Sequence, residues 1–255
     1  MEVDGRMMTT GRDETAPGST CATRVGTVDV WRAHLNLQPD QLLPLARCLD
    51  EEEQARAGRF HFQRDVVRFR ASRGLLRHIL ARYLGTPPER IRFGYGPMGK
   101  PFLLEHPGFH FNLSHADDVL VVGVAHGCRV GVDVERVFSE VVMDDVSRMV
   151  LSHPERVVLG RLHDEERLEW FTRLWTRKEA YIKADGRGMS LQLDQIDVST
   201  QSGRVRLRGE RPEDWYVCPQ WAVRAIPVGS GYTAALAAEG FDWRLTCVDW
   251  SSEAP

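Results

Sequence analysis

Two carboxylates stand two residues apart in Gly131-Val132-Asp133-Val134-Glu135. If this stretch is a strand, its side chains alternate faces, so Asp133 and Glu135 point the same way. Like charges on one face repel. They are comfortable when solvated or when a cation sits between them, and hard oxygen donors suit Mg²⁺ or Mn²⁺ rather than zinc. For the pair alone a solvated strand face is the commoner outcome. A second group lies in Trp175-Thr176-Arg177-Lys178-Glu179-Ala180-Tyr181-Ile182-Lys183. On a helix Trp175, Glu179 and Lys183 are four apart and share a face, with Lys178 offset from that line. Glu179 and Lys183 would make an ordinary stabilising pair of about 0.3–0.5 kcal/mol, or a third metal carboxylate beside a phosphate-binding lysine.

Phe111-Asn112-Leu113-Ser114-His115 reads as a strand running into a polar turn, with Ser114 and His115 at its tip. Loop tips on rigid scaffolds often carry function, although a lone Ser-His is more often a turn or a cap. No Gly-x-Ser-x-Gly elbow surrounds Ser114, which removes the serine-hydrolase reading. Gly94-Tyr95-Gly96-Pro97-Met98-Gly99-Lys100-Pro101 contains Gly-x₄-Gly-Lys, but Pro101 takes the place of the Ser or Thr of a nucleotide-hydrolase loop, and Pro107 and Gly108 soon follow where a helix is needed. It remains a glycine-rich loop able to bring one lysine to a phosphate or ribose. His106 and His110 are no metal pair, because Pro107 and Gly108 lie between them. Arg70, Arg73 and Arg77 form a stripe that reads as a solvated face packing its stems, or as a surface for an acidic partner.

These side chains need a scaffold, and 255 residues, 42% of them hydrophobic, can bury one large core or two small ones. Residues 1–24 have no apolar period and read as a disordered tail. A short β-prone stretch around Val28, Val30 and Trp31 is followed by helical segments over 39–49 and 50–58, the second opened by Asp50 as N-cap. The first strong helix covers 62–84, with Val66, Phe69, Leu76, Leu80 and Tyr83 on one side and Gly85 as its stop. Strands follow over 109–113, 119–125 and 129–134, then short helices within 139–162. A second strong helix covers 165–185, and strands fall over 196–198, 205–207, 221–226, 232–237 and 245–248. This order predicts an α+β protein with two similar halves, 25–127 and 128–255, the second carrying Asp133, Glu135 and Glu179. No internal repeat is visible in the sequence.

Net charge is −3, with Lys+Arg 33 against Asp+Glu 36, which argues against nucleic acid as the partner. Five scattered cysteines with no Cys-x-x-Cys spacing argue against zinc ribbons and disulfides and fit a reducing cytoplasm. The longest apolar run is far too short to cross a bilayer, and the N-terminus shows no signal-peptide pattern, so membrane insertion is not expected.

Taken together and in order, Phe-Asn-Leu-Ser-His, Gly-Val-Asp-Val-Glu and Trp-x-x-Lys-Glu-Ala-x-x-Lys resemble the 4'-phosphopantetheinyl transferase superfamily. The likeness is to the surfactin-synthetase-activating (Sfp-like) type rather than to the short trimeric holo-acyl-carrier-protein synthases. Arg59-Phe60-His61-Phe62-Gln63-Arg64-Asp65 and Gly99-Lys100-Pro101 share it, and the resemblance covers roughly residues 50–190.

The resemblance implies a pseudo-twofold monomer with coenzyme A and Mg²⁺, or Mn²⁺, in the cleft between its halves. It assigns the metal to Asp133, Glu135 and Glu179, and the coenzyme A phosphates to Lys178 and Lys183. Ser114 and His115 would lie near the 3'-phosphate, Lys100 near the adenosine and Arg56 near the 3'-phosphate. The preceding basic position of the family is Glu53 here. Glu179 and Lys183 are the expected catalytic pair, and the partner is an acidic apo carrier protein with an acceptor serine. The implied reaction moves 4'-phosphopantetheine to that serine and releases 3',5'-ADP. The alternatives are a non-catalytic relative that binds coenzyme A or a carrier domain, and a metal-dependent phosphohydrolase acting on coenzyme A.

Overall fold

The computed structural model describes residues 26–188, 191–211 and 213–251. The segment 1–24, expected to be a disordered tail, lies outside the described residues.

The first half begins with strand β1 (Thr27–His34) and two short helices, α1 (Pro39–Arg47) and α2 (Glu51–Ala57). Asp50 caps α2, accepting the Glu53 N–H at 2.9 Å while the Glu53 carboxylate returns to the Asp50 N–H. The long helix α3 (Gln63–Leu84) follows, then a small hairpin of β2 (Phe93–Tyr95) and β3 (Pro101–Leu103), then the hairpin of β4 (Phe109–Ala116) and β5 (Val119–His126). The second half repeats this plan. Strand β6 (Val130–Arg136) leads to α4 (Glu140–Val150) and α5 (His153–Leu159), then to the long helix α6 (Asp164–Asp185). Strands β7 (Ile196–Asp197), β8 (Arg204–Arg208), β9 (Trp215–Ala225), β10 (Tyr232–Glu239) and β11 (Arg244–Asp249) complete it.

In each half the first strand pairs antiparallel with the second strand of a hairpin: β1 with β5, β6 with β10. In each, a 22-residue helix covers the sheet and ends on a glycine in the left-handed region (Gly85, φ 60°; Gly186, φ 85°). The sheet orders are β11-β1-β5-β4 and β6-β10-β9-β8-β7. The expected α+β class and paired halves are therefore present, with one correction to the boundary. Strand β11 leaves the second half and lies parallel to β1, Val30 opposite Cys247, so the chain's end completes the first sheet. Both faces of β1 are largely buried, and its outer edge needs a partner if its backbone is to be satisfied.

Each half has its own core beneath its long helix, around Leu75, Leu76 and Ile79 in one and Phe171, Tyr181 and Trp221 in the other. A third apolar layer joins the halves through Val28, Val30, Val121, Val132, Val134 and Leu236. No described helix is long and apolar enough to cross a membrane.

Two sequence expectations are corrected here. Ser114 and His115 lie within β4, not at a turn, because the pairing with β5 continues to Ala116 opposite Val119 and the turn falls on Asp117 and Asp118. The arginine stripe is not solvated at Arg73 and Arg77. Both are buried and hold the buried Glu53 carboxylate, at 2.6 Å from Arg73 and 2.7 Å from Arg77, while Arg77 also reaches Asp50. A buried charge needs such partners, and they tie α2 to α3.

Candidate active site

Strand β6 turns one face to the apolar layer between the halves, through Val130, Val132 and Val134. Its other face meets α6, so closely that a Cβ on Gly131 would fall 2.2 Å from the Ala180 carbonyl oxygen. This approach sets Asp133 and Glu135 against the face of α6 that carries Trp175, Glu179 and Lys183. The Lys183 ammonium donates to Asp133 Oδ1 at 2.6 Å and to Ser114 Oγ at 3.2 Å, and Ser114 Oγ donates to the same Asp133 oxygen at 2.9 Å. Ser114 comes from the first half, Asp133 and Lys183 from the second, so the network bridges the two.

The carboxylates are electrostatically crowded. Burial pushes Asp133 above the usual carboxylate range, against the pull of Lys183. Glu135 is pushed up to about 7, first by burial and then by the Asp133 charge, with Lys183 opposing the rise and Glu179 adding to it. Glu179 is raised by burial and by Asp133. Three buried polar atoms of this corner have no hydrogen-bond partner among the described residues: Asp133 Oδ2, Trp175 Nε1 and Thr233 Oγ1. Thr233 sits opposite Glu135 in the β6–β10 register. Three hard carboxylates with a buried, unpaired oxygen fit a divalent cation with bound water better than they fit one another. Among the described residues they are not closed into a ligand cluster.

The other expected residues divide. Lys100 reaches from the β2–β3 hairpin to the second half, donating to the Lys183 carbonyl at 2.5 Å and the Val130 carbonyl at 3.1 Å. Burial and the nearby Arg129 charge lower its ammonium to about 8. It lines a cavity of about 250 Å³ with Met98, Phe109, Arg129 and Asp185. His115 follows Ser114 on β4, and burial of its ring first, then the charges of Arg68 and Lys183, lower its pKa. Arg56 is exposed on α2 with its guanidinium 5.6 Å from the Phe69 ring centroid, and among the described residues it shares no bond with the other candidates.

Lys178 is a correction. It points away from Glu179 into the second half's interior, 0% exposed, ion-paired to Glu155 at 2.7 Å and donating to the carbonyls of Val150, Leu193 and Ile196. Every N–H of the ammonium is consumed, so Lys178 has none to offer a phosphate. Glu53, which stands where the family has a basic residue, is committed to Arg73 and Arg77. Two residues beside the Ser114, Asp133 and Lys183 network had no role in the sequence reading. Thr233 carries no local motif, and Asn112 sat within a quoted motif without an assigned task.

The family model described as "4'-phosphopantetheinyl transferase superfamily" matches residues 129–237, and "4'-phosphopantetheinyl transferase, N-terminal" matches 34–127. The chain is 34% identical over 220 residues to 4'-phosphopantetheinyl transferase HetI of Nostoc sp. (strain PCC 7120), covering 85% of this chain and 90% of that protein. It is 28% identical over 191 residues to 4'-phosphopantetheinyl transferase Sfp of Bacillus subtilis (strain 168), covering 74% and 82%. The chain belongs to the 4'-phosphopantetheinyl transferase superfamily. Within it, the two-half chain and these relatives place it with the Sfp-like type.

Proposed function

We propose that this enzyme transfers 4'-phosphopantetheine from coenzyme A to a serine of an apo carrier protein, releasing 3',5'-ADP, with coenzyme A held across the cleft between the halves. The observation that carries the reading is the bridge of Ser114, Asp133 and Lys183 across the halves, with an unpaired Asp133 oxygen beside Glu135 and Glu179.

Asp133, Glu135 and Glu179 would hold Mg²⁺, which when bound neutralises the pyrophosphate and the charge that grows on the leaving oxygen. Lys183 adds a fixed positive charge at the same place, donating to phosphate oxygens as it now donates to Asp133. Glu179, ionised and with a proton affinity raised by burial and the Asp133 charge, takes the proton of the carrier serine as the serine oxygen bonds to phosphorus and the bridging P–O bond breaks. Ser114 orients Asp133 and Lys183. Lys100 and the cavity beside it receive the adenosine end, and Arg56 and His115 flank the route to the 3'-phosphate.

The test is intact-mass analysis of several apo carrier domains incubated with the protein, coenzyme A and Mg²⁺. One phosphopantetheine added per carrier supports the proposal. Release of 3',5'-ADP without acceptor modification supports a phosphohydrolase instead, and binding without either reaction supports a non-catalytic relative.

A further inference from the structure

Strands β4 and β6 each end their own sheet, β4 pairing with β5 and β6 with β10, and their free edges face one another across the boundary between the halves. A buried strand edge must satisfy its backbone groups somehow. Here side chains do it. Asn112 Oδ1 accepts the Val132 N–H at 2.9 Å, in a buried setting, and Lys100 Nζ donates to the Val130 carbonyl at 3.1 Å. Asn112 is itself 6% exposed.

Asn112 and Ser114 lie two apart on β4 and so project to the same side. Their contacts fall on consecutive residues of β6, Val132 and Asp133. We infer that Asn112 is a positioning residue for the reaction centre: its amide stands in for a missing backbone ladder and fixes the register of β6 against β4, and so sets Asp133 against Ser114 and Lys183. This rests on the proposed metal-dependent transfer. Asn112 touches neither the acceptor nor the reacting atoms. It acts through the Val132 backbone, one residue from the carboxylate.

The test compares Asn112→Leu, which keeps the size and removes the acceptor, with Ile79→Ala, a core change beneath α3 that lowers stability without touching β6. Mn²⁺ affinity is measured by electron paramagnetic resonance well below both melting temperatures, alongside kcat and the KM for coenzyme A. Losing an outer contact of this kind typically weakens metal binding about 10–100-fold. Asn112→Leu should therefore bind Mn²⁺ at least about tenfold more weakly and lose kcat, with its KM for coenzyme A little changed. Ile79→Ala should keep native Mn²⁺ affinity. Should Asn112→Leu fail to fold, Asn112→Ser takes its place with the same expected direction. Native Mn²⁺ affinity in the folded Asn112 variant, or equal weakening in Ile79→Ala, overturns the inference. Wild-type protein that binds Mn²⁺ but modifies no carrier overturns the proposed function instead.

Discussion

The Lys183 ammonium occupies one oxygen of Asp133, at 2.6 Å, and leaves the other buried without a partner. The two oxygens of this carboxylate are thus inequivalent, one held by an internal cation and the other without a hydrogen bond among the described residues. Asp133→Ala should lower transfer roughly 10²–10³-fold, the usual loss when one electrostatic element of a transition-state site is removed. Lys183 retains access to water, with a side chain 31% exposed, so the fold should survive the change. Carrier modification followed by mass, with circular dichroism as the fold control, checks both statements. Full activity in this variant would remove the proposed metal site.

Glu135 gives a pH signature. Its carboxyl is raised to about 7 in the folded chain, against about 4.3 when unfolded. A raised carboxyl favours folding below its unfolded value, and that contribution is lost as pH rises through about 7. In metal-free protein, the Tm difference between wild type and Glu135→Gln should therefore move against wild type as pH rises from about 5 to 8. Mg²⁺ binds the ionised form and should restore wild type at the upper end. Calorimetry of both proteins with and without Mg²⁺ reads this, and a pH-independent difference would show that Glu135 is not perturbed.

Lys178 and Glu155 form a buried ion pair that also serves the backbone around it, Glu155 accepting the Ser152 and Val198 N–H groups. Lys178→Met alone strands a buried carboxylate and should cost about 3–5 kcal/mol of stability. Lys178→Met with Glu155→Leu should recover only part of that loss, because the Val150, Leu193 and Ile196 carbonyls lose their partner in both variants and the Ser152 and Val198 N–H groups lose theirs in the double variant. Urea unfolding measures both. A large rise in the KM for coenzyme A in the stable double variant would instead return Lys178 to the substrate.

With Arg73 and Arg77 committed to Glu53, the basic surface beside α2 and the start of α3 reduces to exposed residues such as Arg56, Arg59 and Arg64. If an acidic carrier docks there, added salt should slow transfer, because the screening length falls from about 8 Å at 0.15 M to about 3 Å at 1 M. Replacing the three arginines by glutamate should slow transfer at low salt and remove most of that salt dependence. Steady-state rates at several ionic strengths decide it.

The long helices were legible because Leu76, Leu80 and Tyr83, or Phe171, Leu174 and Ile182, recur at helical spacing and each helix runs into glycine. The facing of Asp133 and Glu135 followed from strand alternation alone. The phosphate role of Lys178 came from the family resemblance, whereas spacing had already set it off the Trp175, Glu179 and Lys183 line without telling which side meets the core. Arg77 was misread for the same reason, since its partner Glu53 lies 24 residues earlier in the chain. Strand β11 was visible as a strand, but nothing local in Leu245–Val248 says that its partner is β1. The shared plan of the halves was hidden from sequence because it resides in pairing order, which quite different side chains can satisfy.

That final strand has a consequence for synthesis. Val30 and Trp31 acquire their outer neighbours only from residues 244–249, so the first half to leave the ribosome is among the last to be finished. Until then β1 presents an open edge, and a nascent chain stalled before residue 244 would be prone to capture by other unfinished strands.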